Sequence, residues 1–359
     1  MVIVADPERF PWRASASVPH PEAASIFDAL AGHLGEHLEL SRTADAIHAL
    51  TPEGELLLSL SSPAIDVSIK AIDTVTVARA MELVTSHMQE FSSASLPQIT
   101  WRGNAASARA GRCFRMLTLT GVTDLSPNIR RLTFRGAELQ PFADGLHVQL
   151  FLPCAPDAPL PEPDSIADGK PHWDDLGAAP FARTYTIRRL DPDAGTLDID
   201  FVLHHRGGVY AEAPGASFAA LAAVGMRVGM LGPGGRSLPK AQRYVLAGDE
   251  TALPMIARLM ETLPTDTHVD CLIEIENADD RQSLATSANC RVRWLERDRA
   301  GSEPSALLLR EVLALNLGPE DPQRFILFAA RSDAARQLRL HLREQLQHSP
   351  RGYLSAGFW

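Results

Sequence analysis

The sequence predicts a multidomain protein: a small α+β module, an antiparallel β-barrel and a parallel α/β unit, in that order. Three observations carry this. Helical and strand periodicities mix within the first hundred residues. Six short strand patterns follow, separated by Pro- and Asp-rich loops. From about residue 241 strand and helix patterns alternate, the rhythm of a parallel sheet. A chain of 359 residues can bury two or three real cores. With 45% hydrophobic and 22% charged residues, a predominantly disordered chain is excluded.

The elements follow in order. In the module, residues 21–95, Ile26, Leu30, Leu34 and Leu38 recur at i, i+4 and mark a helix. Ala46–His48 and Glu55–Ser61 read as strands about the turn Pro52-Glu53-Gly54. Ala64–Ile72 alternates through Ile65, Val67 and Ile69. Val77–Phe91 returns to helical period, with Asp73 or Thr74 as N-cap. Residues 92–111, rich in Ser, Ala and Gly, read as a linker. The barrel, residues 112–236, takes its strands from Cys113–Val122, Ile129–Phe134, His147–Leu152, Arg183–Leu190, Thr196–Leu203 and Met226–Leu231. A long insertion, Ala155–Ala182, separates the third and fourth. In the α/β unit, residues 241–359, strands are expected at Tyr244–Ala247, Val269–Ile275, Val292–Leu295 and Phe325–Ala329. Helices are expected at Ala252–Thr262, Arg281–Thr286, Ser305–Leu315 and Asp333–Gln347.

The net charge of −10 argues against a general nucleic-acid binder. Its distribution is uneven. Residues 21–95 hold eleven Asp and Glu against three Lys and Arg, whereas residues 101–136 hold seven Arg and one acid, Asp124. The start of the barrel is therefore locally cationic, which suits a small anionic ligand. Four scattered cysteines with no CxxC pair give neither a zinc framework nor a disulfide scaffold, and a cytoplasmic location is expected. No signal peptide and no apolar run of about 18 residues is visible, so no membrane span is expected.

Several short motifs could carry chemistry. Arg183-Thr184-Tyr185-Thr186 places a cation and an aromatic on one face of a strand, able to hold a phosphate and a flat ring together. An ordinary strand with an exposed Arg reads the same way. Asp200-Phe201-Val202-Leu203-His204 ends the next strand. Pro214-Gly215-Ala216-Ser217-Phe218-Ala219 then opens a helix with small residues, whose amides suit a pyrophosphate or simply a Ser217 cap. Leu231-Gly232-Pro233-Gly234-Gly235 matches no phosphate loop. Gly248-Asp249-Glu250-Thr251-Ala252-Leu253-Pro254 turns off the first parallel strand, where a dinucleotide sits in such sheets. His33 and His37 stand at i, i+4. Without a third ligand nearby, a surface or capping role is expected and no metal site.

In this order the motifs resemble the siderophore-interacting proteins, flavin-dependent ferric-siderophore reductases of the ferredoxin-reductase-like superfamily. Leu125-Ser126-Pro127 followed by Arg130-Arg131, the pair Trp294-Leu295 with Arg297, and the terminal Gly357-Phe358-Trp359 extend the resemblance over Arg112–Trp359. Gly32-His33 and Ser86-His87-Met88 with Phe91 are similar to a small uncharacterised domain sometimes found beside this reductase, which adds architecture only.

The resemblance implies a flavin-binding barrel and a Rossmann-like nicotinamide-binding α/β domain, with FAD as cofactor and NAD(P)H as co-substrate. Arg183 would pair with the FAD phosphate, Tyr185 would pack on the flavin ring, and Thr186, with Thr184 beside it, would bond the ring edge. Asp200, Phe201, Val202 and His204 would line the flavin and ribityl chain. Ala216 and Ser217 would donate to the pyrophosphate. Gly248, Asp249, Glu250 and Thr251 would face the nicotinamide and the flavin. Apart from the resemblance, Trp359 is an aromatic able to stack over the flavin and gate nicotinamide access, or simply to pack the last strand against the core. No general acid, base or nucleophile is implied, since a flavin converts a two-electron donor into one-electron deliveries to iron. The implied partner is a ferric siderophore, with Arg130, Gln149 and Arg331 as the residues expected to face it.

Departures from the family pattern bear on the acceptor. Gln149 stands where a lysine is common, Arg331 replaces a carboxylate, and Phe218 stands where Trp is expected. A flavin or quinone-type reductase with another acceptor, and a non-catalytic flavin or iron-chelate binding protein, remain alternatives. Arg281 and Arg297 are candidates for a coenzyme 2′-phosphate, crowded by Glu274, Glu276, Asp279 and Asp280.

Overall fold

The computed structural model describes residues 9–35, 38–93, 99–106, 113–143, 145–155, 158–167, 170–174, 178–203, 213–234, 238–297, 301 and 303–359. The chain divides into two compact units, residues 1–111 and 112–359.

In the first unit, strands β1 (Trp12–Pro19), β2 (Leu40–Arg42), β3 (Ala46–Leu50), β4 (Gly54–Ser61) and β5 (Ala64–Ala71) form an antiparallel sheet in the order β1-β5-β4-β3-β2. Helices α1 (Ala23–Gly35) and α2 (Thr74–Phe91) bury Ile26, Phe27, Leu30, Val77, Val84 and Met88 in a core shared with Ile47, Leu58, Ile65 and Val67. Asp73 is the N-cap of α2, its carboxylate accepting from the Thr76 amide at 2.7 Å. The module starts earlier than residue 21, because β1 pairs with β5 over its whole length, from Trp12 opposite Ala71 to Pro19 opposite Ala64. Its inward residues Ala14, Ala16 and Val18 alternate correctly, but two of the three are only alanine, so their period-2 signal is faint. The His33 ring packs on His87 at 4.4 Å and edge-on to Phe91, while His37 lies outside the described residues. Among the described residues no group of three or more potential metal ligands occurs, and no helix is long and apolar enough to cross a membrane.

The second unit opens with a seven-stranded antiparallel sheet curled into a half-barrel. Its strands are β6 (Cys113–Ser126), β7 (Ile129–Arg135), β8 (His147–Leu152), β11 (Phe181–Thr186), β12 (Arg189–Asp191), β13 (Thr196–Val202) and β14 (Arg227–Gly234). They are ordered β11-β8-β14-β6-β7-β13-β12. A two-stranded hairpin, β9 (Ser165–Ala167) with β10 (Lys170–His172), lies in the insertion. Next to it Trp173 packs on Phe114 and Phe151, where a Cβ on Gly229 would come within 2.7 Å of the Phe114 ring. Helix α3 (Pro214–Leu221) sends Phe218 into the barrel core among Leu150, Phe201 and Met230.

The single strand expected over Arg183–Leu190 is two strands at opposite edges of this sheet. The corner is Ile187-Arg188. The Ile187 amide donates to the Leu146 carbonyl, on the β8 side, at 2.9 Å; the Arg188 amide donates to the Asp198 carbonyl, on β13, at 2.8 Å. Each residue thus bonds toward a different side of the sheet, so the corner joins the ends of the curl while β11 and β12 diverge from it.

The parallel sheet holds β15 (Arg243–Gly248), β16 (His268–Ile275), β17 (Asn289–Glu296), β18 (Arg324–Ala330) and β19 (Tyr353–Gly357), ordered β17-β16-β15-β18-β19. Its helices are α4 (Leu253–Met260), α5 (Ala306–Leu313) and α6 (Ser332–Leu340), the last running into a π-helical turn, His341–Gln345. The helix expected at Arg281–Thr286 does not form. Only a 3-10 turn, Ala278–Asp280, precedes an irregular stretch. There the buried Asp280 carboxylate accepts from the Ser126 hydroxyl (2.6 Å) and the Asn128 side-chain amide (2.8 Å), tying the segment to the β6–β7 turn.

Two further contacts join barrel and parallel sheet. Arg188 pairs with Glu261 at 2.6 Å. Arg258, on α4, donates to the carbonyls of Gly145 (2.8 Å), Ile187 (2.9 Å) and Ala143 (3.2 Å). Removing that guanidinium leaves three part-buried carbonyls without their donor. Arg258→Ala is expected to lower the unfolding free energy of the second unit by about 2–3 kcal/mol in urea titration of the full chain, with Arg258→Lys recovering only part.

Candidate functional site

Strand β11 presents the first half of the site. Arg183 is exposed, and its guanidinium bonds only the adjacent Ala182 carbonyl, with no carboxylate partner among the described residues. Thr184 is also exposed and lies opposite the half-buried Gln149 across the β11–β8 ladder. Tyr185 stacks on Phe201 across the gap between β11 and β13, centroids 4.3 Å apart, and Phe201 in turn touches Phe218. Phe201 is therefore the buried support of the half-buried Tyr185.

The Tyr185 hydroxyl rests on the start of α3. A Cβ on Gly215 would lie 1.9 Å from that oxygen, so glycine is required there. Ala213 is the N-cap and Pro214 the first helical residue, which leaves the Gly215 and Ala216 amides without intrahelical acceptors. The Ser217 amide is already committed to the Ala213 carbonyl at 2.9 Å, and Ser217 is not the cap. Of the two amides expected to donate to a pyrophosphate, that of Ser217 is thus already used within the helix, while that of Ala216 has no intrahelical acceptor.

Other expected ligand residues have partners within the fold or lie outside the described residues. Asp200 is buried and held bidentately by Arg131, at 2.6 and 2.8 Å, across the β7–β13 ladder. Val202 is half-buried at the end of β13, and His204 lies outside the described residues. Arg130 is bound to Asp124 (2.6 Å) and to the carbonyls of Ala219 and Ala220 (3.0 and 3.1 Å), where it caps the end of α3. Arg331 is chelated by Asp333, both bonds at 2.6 Å. Neither is an unpaired cation for an acceptor.

At the barrel end of the crevice Thr186 Oγ1 lies 3.3 Å from His147 Nδ1, and the His147 ring meets Phe358 edge-on at 5.8 Å. Burial, then the nearby Arg258 charge, push the His147 pKa below its ordinary value, so the imidazole is neutral at neutral pH. Composition and spacing single out neither His147 nor Phe358; they sit at the start of β8 in the half-barrel and just after β19 in the parallel sheet, and meet across the two layers.

The parallel sheet supplies the other half. Gly248 lets α4 approach, since a Cβ there would strike Ala252 at 2.6 Å. The buried Asp249 carboxylate accepts from the Thr251 amide (3.0 Å), the Thr251 hydroxyl (2.5 Å), the Ser305 hydroxyl (3.2 Å) and the Trp359 indole N–H (2.8 Å). The Thr251 hydroxyl proton is therefore spent on Asp249, and only its oxygen lone pairs face outward. Trp359 is pinned a second time through its carbonyl, which accepts from the Ser332 amide and hydroxyl, both at 2.9 Å. The residue remains 42% exposed, so it is pinned by its hydrogen bonds without being packed into a core.

Glu250 is buried and bound to Arg297 at 2.9 and 2.5 Å. Burial raises its pKa against the opposing pull of Arg297. Glu274, fully buried, accepts from the Ser305 and Leu308 amides at 2.6 and 2.7 Å and so caps α5 from a neighbouring strand. Ser305, whose φ of 64° is left-handed, links Asp249, Glu274 and the Arg331 amide. Sequence reading named Ser305 only as a helix start, and Glu274 only as a neighbour of Arg281 and Arg297, with no capping role.

Comparison with known proteins follows this geometry. Residues 241–359 match the family model described as siderophore-interacting protein, and residues 118–237 match the siderophore-interacting FAD-binding domain. A solved siderophore utilization protein from T. fusca is 31% identical, with a TM-score of 0.55, over 69% of this chain and 93% of that one. The chain belongs to the siderophore-interacting protein family. A Mycobacterium tuberculosis protein, uncharacterised, is 31% identical over 212 residues, 54% of this chain and 71% of its own. The ferric vibriobactin reductase ViuB of Vibrio cholerae is 29% identical over 217 residues, 59% of this chain and 77% of its own. Residues 15–102 match a family of uncharacterised proteins conserved in bacteria, DUF2218, whose span includes most of β1. Membership makes FAD the cofactor of the siderophore-interacting fold, and the cradle fits it: among the described residues Arg183 has no carboxylate partner, Gly215 admits the Tyr185 hydroxyl against α3, and the Gly215 and Ala216 amides have no intrahelical acceptor.

A folded pKa for His147 below the ordinary 6.5 means that its contribution to stability is present above that value and lost as pH falls through the lowered one. Melting curves between about pH 7.5 and 5 are expected to fall more steeply for the wild type than for His147→Gln.

Proposed function

We propose that the protein passes electrons from NAD(P)H through FAD to a ferric siderophore and so frees ferrous iron. The observation that carries this is the meeting of two half-sites. Arg183, Tyr185 and the α3 amides stand on the barrel side; Asp249, Thr251, Phe358 and Trp359 stand at the carboxyl ends of the parallel strands. Ligands of open α/β sheets bind at those ends. The name of the Vibrio cholerae relative, ferric vibriobactin reductase, supports the same acceptor class.

The residues have positioning work to do. Arg183 neutralises phosphate charge as a planar donor fork. Gly215 and Ala216 add backbone donors at the positive end of α3. Tyr185, backed by Phe201, offers a flat face, and Thr186 with the neutral His147 offers hydrogen-bonding groups at the ring edge. Asp249 holds Thr251 and Trp359 on the coenzyme side. Bound FAD supplies the exchange between a hydride and single electrons, so one NAD(P)H and two Fe³⁺ give NAD(P)⁺, two Fe²⁺ and one proton. Reduction frees the metal because siderophore oxygens hold Fe²⁺ far less tightly than Fe³⁺.

With Arg130 and Arg331 neutralised by their partners and Gln149 uncharged, the residues first expected to face the siderophore offer it hydrogen bonds but no unpaired charge. The deciding experiment is an absorbance spectrum followed by anaerobic turnover with NADH or NADPH and a ferric siderophore, the ferrous product being trapped by a chromogenic chelator. A protein that takes up no FAD defeats the reading, and turnover with quinones alone reassigns the acceptor. Arg183→Ala is expected to weaken FAD binding roughly 10- to 100-fold in equilibrium titration, the loss of a charge-assisted contact. Gly215→Val is expected to displace Tyr185 and shift the flavin absorbance bands.

A further inference from the structure

Two histidines from different helices meet in the first unit. His33 stands near the end of α1 and His87 near the end of α2. Both are half-buried, and their ring centroids lie 4.4 Å apart with the planes inclined by 35°. Phe91, one turn beyond His87, meets both rings, at 5.8 Å from His33 and 6.1 Å from His87. The pair is therefore held against an aromatic wall shared by the two helices.

The hydrogen bonding of His87 decides how its ring can be used. Nδ1 lies 2.7 Å from the Leu83 carbonyl oxygen, one turn back on α2. A carbonyl only accepts, so Nδ1 carries the proton and the lone pair of the neutral ring is on Nε2. An N–H given to a main-chain carbonyl is the arrangement that orients metal-binding histidines. His33 brings a second imidazole, whose two nitrogens allow it one hydrogen bond and one metal bond together.

The separation of the rings has a metrical meaning. Two imidazoles that share an ion at about 2.0–2.1 Å place their ring centres about 3.2 Å from it, hence about 4.5 Å apart at a right angle and about 5.2 Å at the tetrahedral angle. The observed 4.4 Å fits the right angle of tetragonal and octahedral ions rather than the tetrahedral habit of structural zinc. The surroundings favour a cation. Residues 21–95 carry eleven Asp and Glu against three Lys and Arg, a balance that concentrates positive ions. A Cβ on Gly32, next to His33, would meet nothing within 4 Å, so the surface there is open to an approaching ion.

We propose that His33 and His87 bind a divalent transition-metal ion of tetragonal or octahedral habit, such as Ni²⁺ or Cu²⁺, which clamps α1 to α2. The site requires only these two protein ligands, its other positions being open to water. Binding exchanges water on the ion for two imidazole nitrogens and moves no electron. The inference stands apart from the flavin reading, and neither depends on the other.

The test uses the untagged full chain, dialysed against a chelator, with Ni²⁺ and Cu²⁺ chlorides as probes. Calorimetric titration is expected to find one ion per chain at a Kd of about 100 μM or tighter, Cu²⁺ tighter than Ni²⁺. His33→Ala and His87→Ala are each expected to weaken binding roughly tenfold or more. His48→Ala, which removes a ring bonded to Glu55 in the same unit, is expected to leave the affinity unchanged. The paramagnetic resonance spectrum of bound Cu²⁺ is expected to show coupling to two ring nitrogens in the wild type and to one in each single variant. Saturating Ni²⁺ is expected to raise the melting temperature of the wild type but not of the double variant. Circular dichroism of the metal-free variants checks their folding, and His33→Gln and His87→Gln take the place of any alanine variant that unfolds. Binding that survives loss of both rings overturns the proposal. So does a wild-type Cu²⁺ spectrum with fewer than two nitrogens, and so does a weaker Kd, which marks an adventitious ion only.

Discussion

Arg258 couples the two halves of the catalytic unit at the point where their geometry matters most. It projects from α4, the helix that begins directly after the Gly248–Thr251 turn. Its donors end on the carbonyls of Gly145 and Ile187. Those carbonyls flank His147 and Thr186, the two barrel residues whose side chains meet at the crevice. One planar side chain therefore sets the coenzyme-side turn against the barrel-side ring edge through only a few covalent bonds on either side. Lysine could satisfy one of these carbonyls but not the fan of three. Asp280 and the Arg188–Glu261 pair hold the same two layers farther out, so the crevice cannot widen without breaking charged, part-buried contacts.

Behind the turn lies a second constraint, a buried polar knot at the strand ends. Asp249, Glu250, Glu274, Ser305 and Arg297 bring three carboxylates and one guanidinium out of water together. Such a set is expensive unless its members are paired and hydrogen-bonded. Here Glu274 takes two helix amides and an arginine, Asp249 takes four donors, and Glu250 is held bidentately. The left-handed backbone at Ser305 is tolerated because both its amide and its hydroxyl are used inside the knot. The return on this arrangement is positional: the turn, the α5 start and the Trp359 indole share common partners and keep one relative placement.

Much of the fold was legible in the sequence because hydrophobic period reports burial directly. Ile65, Val67 and Ile69 in β5, and Val77, Val84 and Met88 in α2, each appear on the face their spacing implies. Asp73 capping α2 followed from residue type and position. The order of motifs from Arg183 to Trp359 placed the chain in its family. What failed was whatever depends on a partner distant in sequence. Asp200 and Arg130 are of the right type to touch a ligand, yet Asp200 is held by Arg131, 69 residues away, and Arg130 by the carbonyls of Ala219 and Ala220. The strand break at Ile187-Arg188 left no trace in composition, since both halves carry strand-like residues and only the barrel's curvature demands the corner. The missing helix after Asp280 reflects the same limit: the carboxylate that organises that segment answers to the β6–β7 turn, about 150 residues earlier in the chain.

That corner has a consequence for the molecule's colloidal behaviour. Splitting the strand sends β11 and β12 to opposite margins of the sheet, and among the described strands β11 pairs with β8 alone. An open strand edge is a template for a strand from another molecule. On this chain the same margin carries Arg183, Tyr185 and Thr186, so a molecule seated there shields the backbone as well as the side chains. Occupancy of the cradle and resistance to self-association are in this way the same structural condition.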